Sequence, residues 1–141
     1  MADLLLVDND RRIVELVAFF LSKRGHVVRR AESFAAARGA IAERMPELML
    51  SDLDLGAERG DEELPKLEAE GLLPPTLVVS GFLDADVEER LARLSRVIGT
   101  LRKPFDLGVL EARVASALEA ARRNAADDEG WVDVVPFGRD A

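Results

Sequence analysis

The chain contains no cysteine and a single histidine. The first absence excludes disulfides, thiolate metal centres and cysteine nucleophiles, and it fits a cytoplasmic setting. The second leaves a zinc site, or a Ser-His or Cys-His nucleophile pair, almost without support. The one histidine, His26, falls on a short half-polar segment away from any cluster of reactive side chains. No apolar run approaches the roughly 20 residues that a membrane-spanning helix needs. The N-terminus carries Asp3 and no basic stretch ahead of an apolar one, so it lacks the pattern of a signal peptide. Positive charge is also scarce. Lys and Arg number 19 against 27 Asp and Glu, a formal net charge of −8, which argues against generic binding to nucleic-acid phosphate. There is no Walker-type or dinucleotide-binding glycine pattern and no internal repeat.

What is present is apolar sequence in short, regularly spaced runs. Hydrophobic residues make up 48% of 141 residues, enough for one domain with a proper core. Leu4–Val7 reads as a strand buried on both faces. Asp10 is a helix N-cap, and Ile13, Val14, Val17, Phe20 and Leu21 recur at helical spacing up to about Arg24, where Gly25 ends the helix. His26–Arg30 is a half-polar strand near a sheet edge. Ser33 caps a second helix, from Phe34 to about Arg44, broken by Pro46. Leu48–Leu50 is a third strand and Gly56–Gly60 a loop. A weaker helix spans about Asp61–Glu70, with Pro65 near its start. Leu77–Val79 is a fourth strand, followed by a helix from Asp84 or Asp86 to about Arg93. Val97–Leu101 is a fifth strand, stopped by Pro104. Asp106 caps a last helix with Leu107, Leu110, Val114 and Leu118 on one face. Five strands alternating with five helices define an α/β domain whose parallel sheet is covered on both sides.

The domain is expected to occupy residues 1–123. Residues 124–141 form a separate acidic tail, with five acids against one Arg. Its WVDVVPF segment, Trp131–Phe137, holds the only Trp and is apolar enough to dock on its own domain or on a partner.

In open α/β sheets, ligands bind beyond the carboxyl ends of the strands. The polar residues there are Asp8-Asn9-Asp10, Asp52 with Asp54, Ser80-Gly81 and Lys103-Pro104. Three or more acids, a hydroxyl and an ammonium group would converge on one crevice. Carboxylates so close repel unless a cation joins them, and hard oxygen ligands suit Mg²⁺. The same set is what a phosphoryl group needs to offset its oxygens.

This ordered set resembles the receiver domains of bacterial two-component response regulators, in their single-domain, chemotaxis-regulator-like form. The resemblance covers about residues 3–122. It implies a flavodoxin-like, doubly wound sheet of order 2-1-3-4-5. It also implies that Asp52 accepts a phosphoryl group from the phosphohistidine of a histidine kinase or phosphotransfer protein. Asp8 then matches the first acid of the Mg²⁺ pocket, and Asp54 the residue whose backbone carbonyl serves the metal. Ser80 matches the switch hydroxyl, Gly81 the small residue beside it, and Lys103 the lysine that pairs with the phosphate. The Lys103-Pro104 bond of the family is usually cis. A downstream protein would read the face around the last two helices and the fifth strand. No direct nucleic-acid contact, no membrane insertion and no turnover of a second substrate are expected.

The departures matter as much. Asn9 stands where the family has a second metal-binding acid, so the pocket is one charge short and weaker Mg²⁺ binding is expected. Thr100 stands where the family commonly has Tyr or Phe, an aromatic that swings inward on phosphorylation and that Thr cannot replace in volume. These two residues motivate an alternative: a pseudo-receiver that binds partners without being phosphorylated. A small hydrolase, with Asp52 as nucleophile and Asp54 as acid/base, is a third and weaker reading. Arg90, Arg93 and Arg96 read as a solvated helix face in a region where receivers contact partners.

Overall fold

The computed structural model describes residues 2–126. Its elements, in order, are β1 (Asp3–Val7), α1 (Arg11–Lys23), β2 (Val27–Ala31), α2 (Phe34–Glu43), β3 (Leu48–Ser51), α3 (Gly60–Ala69), β4 (Thr76–Ser80), α4 (Ala85–Ala92), β5 (Val97–Arg102) and α5 (Leu107–Ala126). The strands form one parallel sheet in the order β2-β1-β3-β4-β5. The parallel sheet is the one expected from the alternation of elements, and its order is the doubly wound one that the family resemblance implied.

Strand side chains alternate between faces, and β1 divides the core accordingly. Leu4 and Leu6 join Val14, Val17 and Leu21 of α1 and Leu110, Val114 and Leu118 of α5. Leu5 and Val7 join Phe34 and Ile41 of α2, Leu64 and Leu67 of α3, and Val87 and Leu91 of α4. The apolar run is thus two half-cores interleaved in one strand.

The helix starts follow their caps. Asp10 accepts from the N–H groups of Arg12 and Ile13, Ser33 from Ala36, and Asp84 from Val87. Gly25 follows α1 with φ of +90°, which suits a residue without Cβ. α3 begins at Gly60 and has no side-chain cap. Pro65 lies inside it and costs an intrahelical bond. The fully buried Leu64 and Leu67 on either side hold the helix to the sheet regardless. His26 precedes β2 rather than belonging to it.

Candidate functional site

The strand ends are brought into register by the ladder itself. Asp52 N–H donates to the Val7 carbonyl at 2.9 Å, and Asp8 N–H to the Ala31 carbonyl at 3.1 Å. The carboxylates of Asp8 and Asp52 therefore emerge side by side from neighbouring strands, both nearly buried. Lys103 reaches them from the far side of the sheet. Its N–H donates to the Ser80 carbonyl at 3.0 Å, and the Lys103-Pro104 peptide is cis. Lys103 Nζ donates to Asp8 Oδ2 at 2.7 Å and to Asp52 Oδ2 at 2.9 Å.

Each acid also uses its second oxygen. Asp8 Oδ1 accepts from the Asp10 N–H at 2.9 Å. Asp52 Oδ1 accepts from the N–H groups of Leu53 at 2.7 Å and Asp54 at 3.4 Å. Burial works against the Lys103 charge, but the hydrogen bonds to Asp8 and Asp52 outweigh it and hold its pKa above the ordinary lysine value.

The structure gathers two acids and one lysine, fewer acids than the three or more expected. Asp10 turns away to cap α1 through Oδ1. The Asp54 carboxylate accepts from Gly56 N–H at 3.1 Å within its own loop. Asn9 is exposed, with its amide nitrogen beside Gly56. Among the described residues no three Asp, Glu, His or Cys side chains form a metal-type group. The physical reason is local: main-chain N–H groups at a helix start and in a tight loop capture two of the four acids.

Ser80 is buried at the end of β4, and its Oγ accepts from Phe82 N–H at 3.1 Å. A Cβ placed on Gly81 would meet nothing nearer than Lys103 Cβ at 4.0 Å, so the space beside the lysine is open. Thr100 is buried on β5, and its carbonyl accepts from Arg113 of α5. His26 is remote from the crevice. Its Nδ1 is buried with no hydrogen-bond partner, and burial lowers its pKa. Trp131–Phe137 lies outside the described residues.

Several residues escaped the sequence reading. Gly60 N–H donates to the Leu53 carbonyl at 2.6 Å, and a Cβ there would stand 2.8 Å from Leu53 Cα. Only glycine permits this close approach, which folds the loop back directly behind Asp52. A glycine at the start of an acidic helix was the available signal. Asp61, nearly buried, is held by Arg59 at 3.1 Å and by Arg90 at 2.8 Å. Arg90 is thus a tie between α3 and α4, not merely part of a solvated face. Arg102 donates to the Leu83 carbonyl and, at 3.1 Å, to Glu88.

A five-stranded parallel sheet of this order, with paired acids after the first and third strands and a lysine after the fifth, defines a class of signalling domain. The model of the response regulator receiver domain matches residues 4–115, and the chain belongs to that family. In the family, phosphorylation on an aspartate is the general function. Among curated relatives, the chain is 32% identical over 123 residues to the nitrogen assimilation regulatory protein NtrX of Azorhizobium caulinodans, with 85% of this chain and 27% of that protein covered. It is 27% identical over 135 residues to the transcriptional regulatory protein AfsQ1 of Streptomyces coelicolor, with 96% and 59% covered. The chain therefore spans about a quarter and three-fifths of the lengths of these relatives. Among solved structures, a CheY-like response regulator receiver domain protein from Methanospirillum hungatei superposes with a TM-score of 0.80 at 20% identity, covering 87% of this chain and 98% of the other. No helix among the described residues is long and apolar enough to cross a membrane.

Proposed function

We propose that this chain is a cytoplasmic response regulator receiver that accepts a phosphoryl group on Asp52 from a histidine kinase or phosphotransfer protein. The observation that carries the reading is the Lys103 ammonium bridging Asp8 and Asp52 in a crevice at the strand ends. A carboxylate oxygen of Asp52 attacks phosphorus as the nitrogen–phosphorus bond of the donor phosphohistidine breaks. The imidazole keeps the bonding pair and takes up a proton, and an aspartyl phosphate remains. Lys103 offsets the charge on the phosphoryl oxygens, and the Ser80 hydroxyl donates to one of them.

Receiver domains generally bind Mg²⁺ at the phosphorylation site. The donor set here is consistent with it, because Asp8 and Asp52 each point a carboxylate oxygen at one shared cationic group. Asp8, Asp52, the Asn9 amide oxygen and the Asp54 carbonyl are the candidate ligands. When bound, Mg²⁺ neutralises phosphoryl charge. Asn9 leaves the set one charge short of the family pattern.

A donor surface adjoins the crevice. Ile13, Leu16, Val17, Pro104, Phe105 and Leu107 line an open apolar groove of about 330 Å³ beside Lys103. Leu16 and Phe19 are exposed there or close by on α1. A helix carrying the phosphohistidine could bury its apolar face in such a groove. A downstream protein reads the face of α4, β5 and α5, and the Trp131–Phe137 segment could add to that contact. The engagement of Asp54 with Gly56 does not favour the hydrolase reading, which needs that carboxylate as acid/base.

The test is incubation with Mg²⁺ and acetyl phosphate, followed by intact mass. The expected result is a gain of one phosphoryl group, lost in Asp52→Ala. No gain at high Mg²⁺ rejects the reading in favour of the pseudo-receiver, which the amide of Asn9 and the short side chain of Thr100 would then explain.

A further inference from the structure

The family resemblance places an aromatic side chain at the position of Thr100 to carry the state of the pocket outward. Thr100 is too short to do so, and it is fixed: the residue is buried and Arg113 holds its carbonyl. Another residue spans the same distance. Arg102 lies two positions along β5, so its side chain leaves from the same face as Thr100. That is the face opposite Leu101, which packs in the α1/α5 layer. Arg102 pairs in register with Ser80 and directly precedes Lys103. Its guanidinium donates to the Leu83 carbonyl in the β4–α4 connection and, at 3.1 Å, to Glu88 Oε1 in the first turn of α4. The connection is held from the pocket side too, by the bond from Phe82 N–H to Ser80 Oγ.

We propose that Arg102 is the positioning residue that couples the crevice to α4. At rest it clamps the β4–α4 connection and α4 to the end of β5, and phosphorylation releases the clamp. The inference rests on the reading of Asp52 as phosphoryl acceptor. A phosphoryl group there draws the Ser80 hydroxyl and the Lys103 ammonium toward its oxygens. As Ser80 turns, Phe82 N–H loses its acceptor. An N–H left unpaired is costly, so the connection re-forms its bonds. Leu83, the next residue, carries its carbonyl away from Arg102. Lys103 moves the same arginine from the other side. α4 then loses its tie to β5, and the surface offered to a partner changes.

A plain surface ion pair would behave differently, because its removal changes stability a little and nothing else. The clamp predicts a shift in the resting equilibrium. In Arg102→Gln, the apparent affinity for beryllofluoride in the presence of Mg²⁺ should rise about threefold to tenfold, because more of the resting protein already occupies the binding-competent state. Amide resonances of α4 in the unliganded variant should move from the wild-type resting positions toward the beryllofluoride-bound ones. Glu88→Gln should shift both readouts in the same direction, and the double variant no further than Arg102→Gln. Glu89→Gln, whose partner is Arg93 at the C-cap of α4, is the control that should shift neither. An affinity within about twofold of wild type in Arg102→Gln, with α4 resonances unmoved, would overturn the clamp. Failure of the wild-type chain itself to respond to beryllofluoride would overturn the acceptor reading, and the clamp with it.

Discussion

Asn9 follows Asp8, whose two oxygens are already engaged by the Asp10 N–H and by Lys103. A divalent ion in this pocket would share the two carboxylates with the Lys103 ammonium group, and the amide of Asn9 would bring no charge to help. An acid at that position should change the balance. Asn9→Asp is expected to tighten Mg²⁺ binding by about tenfold, on the scale of one added charge next to a divalent ion in a partly hydrated site. Titrating Mg²⁺ while following the amide resonances of Asp8–Asp10 measures it; equal affinities would show that Asn9 is not a ligand position. Asp8, Asp52 and Lys103 were legible from sequence because each directly follows an apolar strand, and strand ends are where such a sheet gathers its chemistry. The capture of Asp10 and Asp54 by nearby main-chain N–H groups was legible only for Asp10, whose spacing to the first helix marked it as a cap. The contacts of Arg102 were not legible at all. Its partners Leu83 and Glu88 lie 19 and 14 residues away in sequence, and only the sheet order brings them close.

Elements were easier to read than their ends. Each of the five strands and five helices was marked by its periodicity and by Asp, Ser, Gly or Pro punctuation. β3 and β4 run one residue further than their apolar runs because Ser51 and Ser80 still pair with Val7 and Arg102. Ladder bonds, not hydrophobicity, decide where such a strand stops. α3 was the weakest expectation, since Pro65 counts against a helix and its stability comes from burial that composition does not reveal. Its first residue is also where the loop behind Asp52 is most exacting. Gly60→Ala forces a Cβ to 2.8 Å from Leu53 Cα, a backbone atom that cannot move without moving Asp52. The expected cost is about 2 kcal/mol or more in urea unfolding, with slower phosphorylation by acetyl phosphate. A variant as stable and as reactive as wild type would show that the loop has slack.

The whole molecule should have a stability plateau bounded on both sides by its ion pairs. The bonds of Asp3 to Arg44 and Arg29 lower its pKa against the effect of burial, and the charges of Arg59 and Arg90 do the same for Asp61. An acid with a lowered folded-state pKa contributes stability above its unfolded value of 3.8 that is lost as pH falls through the folded value. His26, lowered by burial, works in the same direction below 6.5. Lys103 is raised, so its contribution is present below 10.5 and disappears as pH rises through the folded value. Urea unfolding should therefore show a flat region near neutrality and a fall in stability toward pH 3. The alkaline fall should be weaker in Lys103→Met. An unchanged alkaline limb in that variant would separate Lys103 from the stability of the fold. The interleaving of two half-cores along β1 has a further meaning at this scale. The sheet is a bulkhead. The helices behind the apolar groove, α1 and α5, rest on one side of it, and α4 rests on the other. Substitutions can accumulate on either wall without repacking its opposite. A lineage could therefore reshape the α4 surface while keeping the α1 wall of the groove beside Lys103 intact.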